Sequence, residues 1–170
     1  MRFSGCLLAF WLACGASLAM AETPREVRMG QVLREGSLHG LLGPDKKLSA
    51  LRGKPLLINV WASWCGPCRQ EMGSLDNLSQ RFSAGKFNVI GISTDDYRER
   101  AVAFLQKSKT TFPNFLDDHL FWENMLGADR LPLTLLVDAD GRVLGKFYGA
   151  RAWDSPEALG LISRSFKIQL

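Results

Sequence analysis

The sequence predicts a mixed α/β fold, a β-sheet with helices on both of its faces. Short apolar runs alternate with amphipathic segments along most of the chain, and a β-hairpin pattern followed by a capped helix closes it. The 170 residues are 46% hydrophobic and 22% charged, proportions typical of one globular domain. The net charge of +4 comes from scattered Lys and Arg residues, so charge does not indicate a nucleic-acid partner.

Residues 1–21 have the pattern of a secretory signal peptide. Arg2 is their only charged residue, an apolar stretch follows it, and Ala19-Met20-Ala21 forms the small–x–small motif that a signal peptidase cleaves. A retained membrane anchor is the alternative, because residues 3–21 are nineteen uncharged positions, near the length that spans a bilayer. A lipoprotein form through Cys14 fits the sequence less well. In each case we expect the domain outside the cytoplasm, in the periplasm.

The first half of the remaining chain begins with a polar arm and then alternates strands with a helix. Residues 22–37 are polar and irregular, and 38–42 could form a short strand. Leu56–Trp61 is a continuous apolar run, which is typical of a strand buried on both faces. An amphipathic helix ending near Gly85 is indicated by apolar residues at steps of three and four, namely Met72, Leu75, Leu78 and Phe82.

The second half repeats the alternation and adds a hairpin. Two strand–helix pairs, the second a short insertion, are predicted at 87–92 and 97–107 and at 114–116 and 119–126. Leu133–Val137 and Val143–Tyr148 are β-rich runs joined by Asp138-Ala139-Asp140-Gly141, a strong turn signal. Ser155 and Pro156 then predict the N-cap and first position of the last helix.

Two cysteines close together in the exported part of the chain are its clearest chemical signal. Removal of residues 1–21 would take Cys6 and Cys14 with it and leave Cys65 and Cys68. A disulfide across two intervening residues closes almost no loop, so it would stabilise the fold little. The pair is therefore better explained by a chemical function than as a structural crosslink.

The position of the pair, between a predicted strand and a predicted helix, favours a reactive thiolate. At the N-terminus of a helix, unpaired amide groups and the positive end of the helix dipole converge on Cys65. Both stabilise an anion, so we expect the pKa of this thiol to lie below the free value of about 8.5. A partly exposed Cys65 could attack a partner's disulfide, and Cys68, one turn deeper, could resolve the mixed disulfide.

These residues resemble a known family. Trp64-Cys65-Gly66-Pro67-Cys68 looks like the active site of the thioredoxin family, with Trp64, Gly66 and Pro67 supporting the two cysteines. The resemblance implies a thioredoxin-like fold over residues 38–170, with residues 22–37 as an N-terminal extension and a short central insertion. The exported TlpA/ResA-like branch of the family is similar over a longer string, Asn59-Val60-Trp61-Ala62-Ser63-Trp64-Cys65-Gly66-Pro67-Cys68-Arg69-Gln70-Glu71-Met72.

The resemblance also assigns roles to residues away from the cysteine pair. Pro132 corresponds to the cis-proline that faces the pair, and the backbone of Leu131 before it would bind the substrate chain. Glu71 matches the acid that helps to move the proton of the buried thiol, so it joins Cys65 and Cys68 as a catalytic candidate. Asn59 stands where cytoplasmic thioredoxins keep a buried Asp.

Two positions depart from the family pattern. Gly73 replaces the proline that commonly kinks the active-site helix, so the bend could be softer or absent. Arg130-Leu131-Pro132-Leu133-Thr134 differs from the Gly-x-Pro-Glu-Thr form of dedicated cytochrome c maturation reductases, which weakens the case for that pathway in particular.

Other interpretations of the same residues remain open. A zinc site would need two more ligands, for which only His39 and His119 are available. A copper-handling module would need a wider cysteine spacing, and a peroxide-reducing relative would carry Thr or Ser in place of Ala62. Glu71 could instead be an exposed acid that favours the helix dipole. We expect neither a metal nor a cofactor.

The dipeptide between the cysteines favours a reductase. Gly66-Pro67 is the pair found in reducing thioredoxins, at about −270 mV, against about −120 mV for the strong periplasmic oxidant. That difference corresponds to about 7 kcal/mol for a two-electron couple. A thiol oxidant or isomerase is the alternative.

The resemblance also implies the partners of such a reductase. A membrane thiol conveyor of the DsbD or CcdA type would donate the electrons. Disulfide-containing exported proteins would accept them, such as apocytochrome c, copper-site assembly proteins or methionine sulfoxide reductases. We expect the domain to act as a monomer.

Overall fold

A seven-stranded sheet forms the centre of the computed structural model, which describes residues 26–170. The strands lie in the order β2-β1-β5-β4-β3-β6-β7. Within the described residues, the strands are β1 (Ser37–Gly40), β2 (Lys46–Lys47), β3 (Leu56–Trp61), β4 (Asn88–Ser93), β5 (Asn114–Leu116), β6 (Leu133–Val137) and β7 (Val143–Tyr148). The helices of the same residues are α1 (Gly66–Phe82), α2 (Arg98–Ser108), α3 (Phe121–Leu126) and α4 (Pro156–Phe166), with one 3-10 turn at Leu48–Leu51.

The directions of the strands bring several chain segments to one edge of the sheet. Strand β3 runs parallel to β4, and β4 runs parallel to β5, so all three end at the same edge. Strand β6 is antiparallel to β3 and therefore begins at that edge. The segments that follow β3, β4 and β5, and the segment that precedes β6, are thus neighbours there.

The core lies on both faces of the sheet, and β3 is therefore buried along its whole length. Alternate residues of a strand point to opposite faces. Leu57 and Trp61 belong to a cluster with apolar residues of α1, α2 and α4, whereas Ile58 and Val60 belong to a second cluster with residues of α3. Helices therefore cover both faces, as the sequence predicts.

Most predicted elements are confirmed within one or two residues. The strands at Leu56–Trp61, Asn114–Leu116, Leu133–Val137 and Val143–Tyr148 lie at the predicted positions. Ser155 caps α4, and its hydroxyl accepts a hydrogen bond from the Ala158 amide. Strand β2 and the 3-10 turn were not predicted, because two residues and four residues are too short to show a periodicity.

The segment before β1 lies against β7 and against α3. The amide of Gly30 donates to the carbonyl of Val143, and the amide of Val27 donates to the carbonyl of Met125. Glu26 and Lys146 form a half-buried ion pair at 2.6 Å. The predicted signal peptide or anchor, residues 1–21, lies outside the described residues. Among residues 26–170, no helix is both long and apolar enough to cross a membrane.

Gly73 lies on the exposed side of α1, and the space around it is open. A Cβ atom at this position would meet no atom within 4 Å beyond its own helix. Glycine costs an exposed helix interior about 0.5–1 kcal/mol relative to alanine. We expect Gly73→Ala to raise the free energy of unfolding by about that amount, as measured by urea denaturation of the oxidised protein.

Gly91 in β4 is the matched control for this substitution. A Cβ atom there would lie 1.9 Å from Oδ1 of Asn114 and 2.8 Å from Nε1 of Trp61, so Gly91→Ala should lower the free energy of unfolding. A loss of stability in Gly73→Ala would contradict the expectation and show that α1 needs glycine for a reason other than space.

Candidate active site

Cys65 is the N-cap residue of α1, directly beyond the turn that follows β3. Its Sγ accepts a hydrogen bond from the amide of Cys68 at 3.2 Å. The helix that begins at Gly66 therefore directs a free N–H group at this sulfur, as the sequence predicts. Cys65 and Cys68 are joined in a disulfide, with their Cα atoms 5.3 Å apart.

The two cysteines of the disulfide differ in their exposure to solvent. Cys65 is 6% exposed and Cys68 is 0% exposed. The exposure of Cys65 is smaller than the sequence prediction of a partly exposed thiol, because this residue packs in the core cluster that contains Trp61 and Met72. Trp64, beside it, is 65% exposed. Of the two cysteines, only Cys65 has any contact with solvent.

Glu71 is buried on α1, one turn after Cys68, with 2% of its surface exposed. One carboxylate oxygen accepts a hydrogen bond from Nδ2 of Asn59 at 2.7 Å. The other accepts from the Arg151 amide at 3.0 Å and from Nε1 of Trp153 at 3.1 Å. Burial raises the pKa of Glu71, although these hydrogen bonds act in the opposite direction. The alternative of an exposed first-turn acid is therefore wrong.

Asn59, in the middle of β3, links this carboxylate to the sheet. Its Nδ2 also donates to Oγ1 of Thr134 in β6 at 3.1 Å. Its Oδ1 is buried, and no hydrogen-bond donor contacts it in the described part of the chain. If the amide turned over, Oδ1 would face Glu71 and could accept a hydrogen bond from the protonated carboxyl. One asparagine side chain can thus serve both protonation states of the acid.

Leu131 and Pro132 lie at the start of β6, at the same edge of the sheet as the cysteine pair. The peptide bond between them is cis, as the resemblance implies. Pro132 is buried, and its carbonyl accepts a hydrogen bond from the Gly149 amide at 2.9 Å. Leu131 is half-buried and packs against the core cluster that contains both cysteines.

The alternative of a zinc site would require further ligands beside the cysteine pair. His39 lies 3.4 Å from a carboxylate oxygen of Asp45, and His119 lies 3.8 Å from one of Asp118. Across residues 26–170, His, Cys, Asp and Glu side chains form no group of three or more that could hold a metal ion.

Sequence reasoning missed several groups around the site. Trp153 and the amide of Arg151 hold Glu71, but they lie about eighty residues further along the chain. Asp95 binds Ser63 in the turn before Cys65. Asp95 lies two residues after the end of β4, and a polar residue near a strand end is the sequence signal that could have indicated its contact. Trp122 in α3 is a core residue that donates a hydrogen bond to the Ser37 carbonyl.

Comparison with known proteins agrees with this geometry. A family model described as Redoxin matches residues 29–162. The thiol-disulfide oxidoreductase ResA of Geobacillus thermodenitrificans is 27% identical over 117 residues, 69% of this chain and 67% of the relative. The thioredoxin-like protein YneN of Bacillus subtilis is 34% identical over 136 residues, 75% of this chain and 76% of the relative.

A solved structure supports the same assignment. It is described as the thiol:disulfide interchange protein DsbE from Chlorobium tepidum and superposes with a TM-score of 0.76 at 26% identity, covering 82% of this chain and 99% of that chain. The chain therefore belongs to the Redoxin family and has a thioredoxin-like fold. It is a thiol–disulfide oxidoreductase of the ResA/DsbE type, with the Cys65–Cys68 pair in its active site.

The raised pKa of Glu71 leads to a prediction about stability. Because the folded protein binds this proton more tightly than the unfolded chain, the contribution of Glu71 is fully present below the ordinary value of 4.5. It is lost as the pH rises from there through the raised pKa. The free energy of unfolding of the oxidised wild type, minus that of Glu71→Gln, should therefore fall with rising pH in urea titrations.

Glu157 provides a control of opposite sign. Its pKa is lowered, chiefly by a hydrogen bond from its own amide and then by Ser155, so its contribution should grow as the pH rises. The difference between wild type and Glu157→Gln should therefore rise with pH, weakly, because this side chain is exposed. A Glu71 difference that is constant or rises with pH would contradict the assignment.

Proposed function

We propose that this protein is an exported protein-disulfide reductase, with Cys65 as the nucleophile and Cys68 as the resolving thiol. The observation that carries the proposal is the asymmetry of the pair. Cys65 is 6% exposed and its Sγ receives an N–H group at the start of α1, whereas Cys68 is 0% exposed. A partner can reach Cys65 first, and the sulfur that it reaches is the one that the helix stabilises as an anion.

The reaction is a two-electron exchange between this pair and a disulfide of the partner. In the reduced protein, the Cys65 thiolate attacks one sulfur of the partner, and the other sulfur leaves and takes up a proton. Cys68 then loses its proton and attacks Sγ of Cys65, which releases the partner sulfur that Cys65 had attacked, and this sulfur also takes up a proton. The partner gains two electrons and two protons, and the Cys65–Cys68 disulfide of the structure is the product.

Glu71 is the proposed acceptor of the Cys68 proton. The two residues are three positions apart on α1, so they share one face of the helix, and both are buried. Burial raises the pKa of Glu71, so its carboxyl can hold a proton at a higher pH than an exposed glutamate does. Asn59 has an amide that can pair with either form of the acid.

The partner chain is proposed to lie along the edge of the sheet between Trp64 and the start of β6. Trp64 is 65% exposed beside Cys65, and Leu131 is half-buried against the core cluster that contains Cys65. An extended segment that carries the partner's cysteine would bind to the Leu131 backbone.

Electrons have to be supplied to a reductase outside the cytoplasm. The signal-peptide pattern of residues 1–21 supports export to the periplasm, either as a free domain or tethered to the inner membrane. A membrane thiol conveyor of the DsbD or CcdA type is the proposed donor. Exported proteins with a disulfide to be reduced, among them the substrates of cytochrome c maturation, are the proposed acceptors.

Replacing Cys68 with serine tests the roles of the two thiols. In Cys68→Ser, Cys65 can attack a partner, but the mixed disulfide cannot be resolved from within the domain. We expect a partner to stay attached to Cys65 in periplasmic extract, visible as a shifted band on a non-reducing gel and identifiable by mass spectrometry. Cys65→Ser is the control and should trap nothing. A folded Cys68→Ser protein that also traps nothing would count against the proposal.

The reduction potential tests the direction of exchange. We expect a value clearly below about −180 mV, the potential of protein disulfide isomerase, and towards the thioredoxin value of about −270 mV. Equilibration with dithiothreitol mixtures measures it, and the Cys68→Ser variant should show no such two-electron step. A potential above about −180 mV would favour the thiol oxidant or isomerase instead.

A further inference from the structure

The backbone hydrogen bonding between β3 and β4 continues one residue beyond the end of β4. Their last paired residues are Trp61 and Ser93, and the Thr94 amide adds one more bond to the Trp61 carbonyl at 2.9 Å. The chain after β3 then turns towards α1, and the Cys65 amide donates to the Ala62 carbonyl at 3.1 Å. Backbone pairing with β4 stops at this turn.

A buried carboxylate takes over where the backbone pairing stops. Asp95 is 3% exposed, and its Oδ2 accepts hydrogen bonds from the Ser63 amide at 2.8 Å and from Oγ of Ser93 at 2.7 Å. Its Oδ1 accepts from Oγ of Ser63 at 2.6 Å. Both donor groups of Ser63 are thus bound by one charged acceptor, and such charge-assisted bonds are stronger than bonds between neutral groups.

Ser63 is the residue through which this contact reaches the active site. Ser63 and Trp64 are the two central residues of the turn that the Cys65 amide closes on Ala62. A fixed Ser63 therefore sets the direction in which Trp64 and Cys65 leave the turn. Cys65, the N-cap residue that follows, has an extended backbone with φ −77° and ψ 108°, and in this conformation its Sγ accepts the hydrogen bond from the Cys68 amide.

We propose that Asp95 is a positioning residue for disulfide exchange, which holds the Ser63 turn so that Sγ of Cys65 meets the first amides of α1. The inference rests on the proposed function, since it assigns Asp95 a part in making Cys65 reactive. It adds a residue outside the Trp-Cys-Gly-Pro-Cys motif that acts through the backbone of the turn and touches neither sulfur.

The test is the rate at which iodoacetamide alkylates Cys65 in the reduced protein, followed across pH by mass spectrometry of the Cys65 peptide. In Asp95→Ala we expect alkylation at pH 7 to be about tenfold slower, with the midpoint of the pH profile moved upwards, because the displaced thiolate loses its amide donor. Asp95→Asn keeps an acceptor oxygen for the Ser63 amide, so its rate should be at least about half that of the wild type.

Asp117 is the matched control for a merely structural role. It is 5% exposed, lies just beyond the end of β5, and accepts a hydrogen bond from the Glu123 amide at 2.7 Å. Asp117→Ala also leaves buried donors unpaired and should lower the free energy of unfolding. The pH profile of Cys65 alkylation should nevertheless stay as in the wild type.

Several outcomes would overturn the inference. An Asp95→Ala profile equal to that of the wild type would do so, as would an equal shift in Asp117→Ala or an Asp95→Asn variant as slow as Asp95→Ala. If Asp95→Ala does not fold, Ser63→Ala decides, because it removes only the hydroxyl bond. We expect its alkylation to be about two- to threefold slower, and an unchanged rate would overturn the inference.

The alkylation assay separates this inference from the proposed function. It needs no partner protein and does not depend on the direction of exchange. A wild-type protein that fails to reduce disulfides, while its Cys65 alkylation still responds to Asp95, would overturn the reductase proposal and leave the role of Asp95 intact.

Discussion

The hydrogen bond from the Cys68 amide to Sγ of Cys65 is the interaction on which the rest of the site depends. It exists because a fully buried strand, β3, ends at the edge of the sheet where α1 begins. The strand anchors the turn from one side and the helix directs its unpaired amides at the sulfur from the other. A cysteine elsewhere on α1 would have its neighbouring amides already bound to carbonyls, so its sulfur would stay an ordinary thiol.

The site below the disulfide is organised by a single buried charge. Glu71 draws hydrogen bonds from β3 through Asn59 and from the segment before α4 through Trp153. A buried carboxylate without donors would be very costly, so these contacts tie three parts of the chain together under the cysteine pair. Burial keeps the pKa of the acid raised, although these hydrogen bonds and the charge of Arg151 act in the opposite direction.

Local patterns predicted most of the fold and the two thiols, because the signals for them lie within a few residues. The run Leu56–Trp61, the cysteine spacing and the Ser155 cap are each read from adjacent positions. The partners of Glu71 could not be predicted in this way, since Trp153 lies 82 positions away and no periodicity connects the two. The small exposure of Cys65 was missed for the same reason, because it depends on how the core packs around the turn.

The electrostatics of the two sulfurs supports a fixed order of events. An anion at Cys65 is favoured by the amides of α1, whereas an anion at Cys68 would lie in the core on the same helix face as Glu71. With Glu71 ionised, a second buried negative charge would be opposed both by desolvation and by repulsion. If the proton of Cys68 passes to Glu71, the number of buried charges stays at one, so the cost of forming the second thiolate is reduced. In the proposed mechanism, Cys68 therefore stays a thiol while Glu71 is ionised, and it gives up its proton only when a mixed disulfide at Cys65 offers it a sulfur to attack.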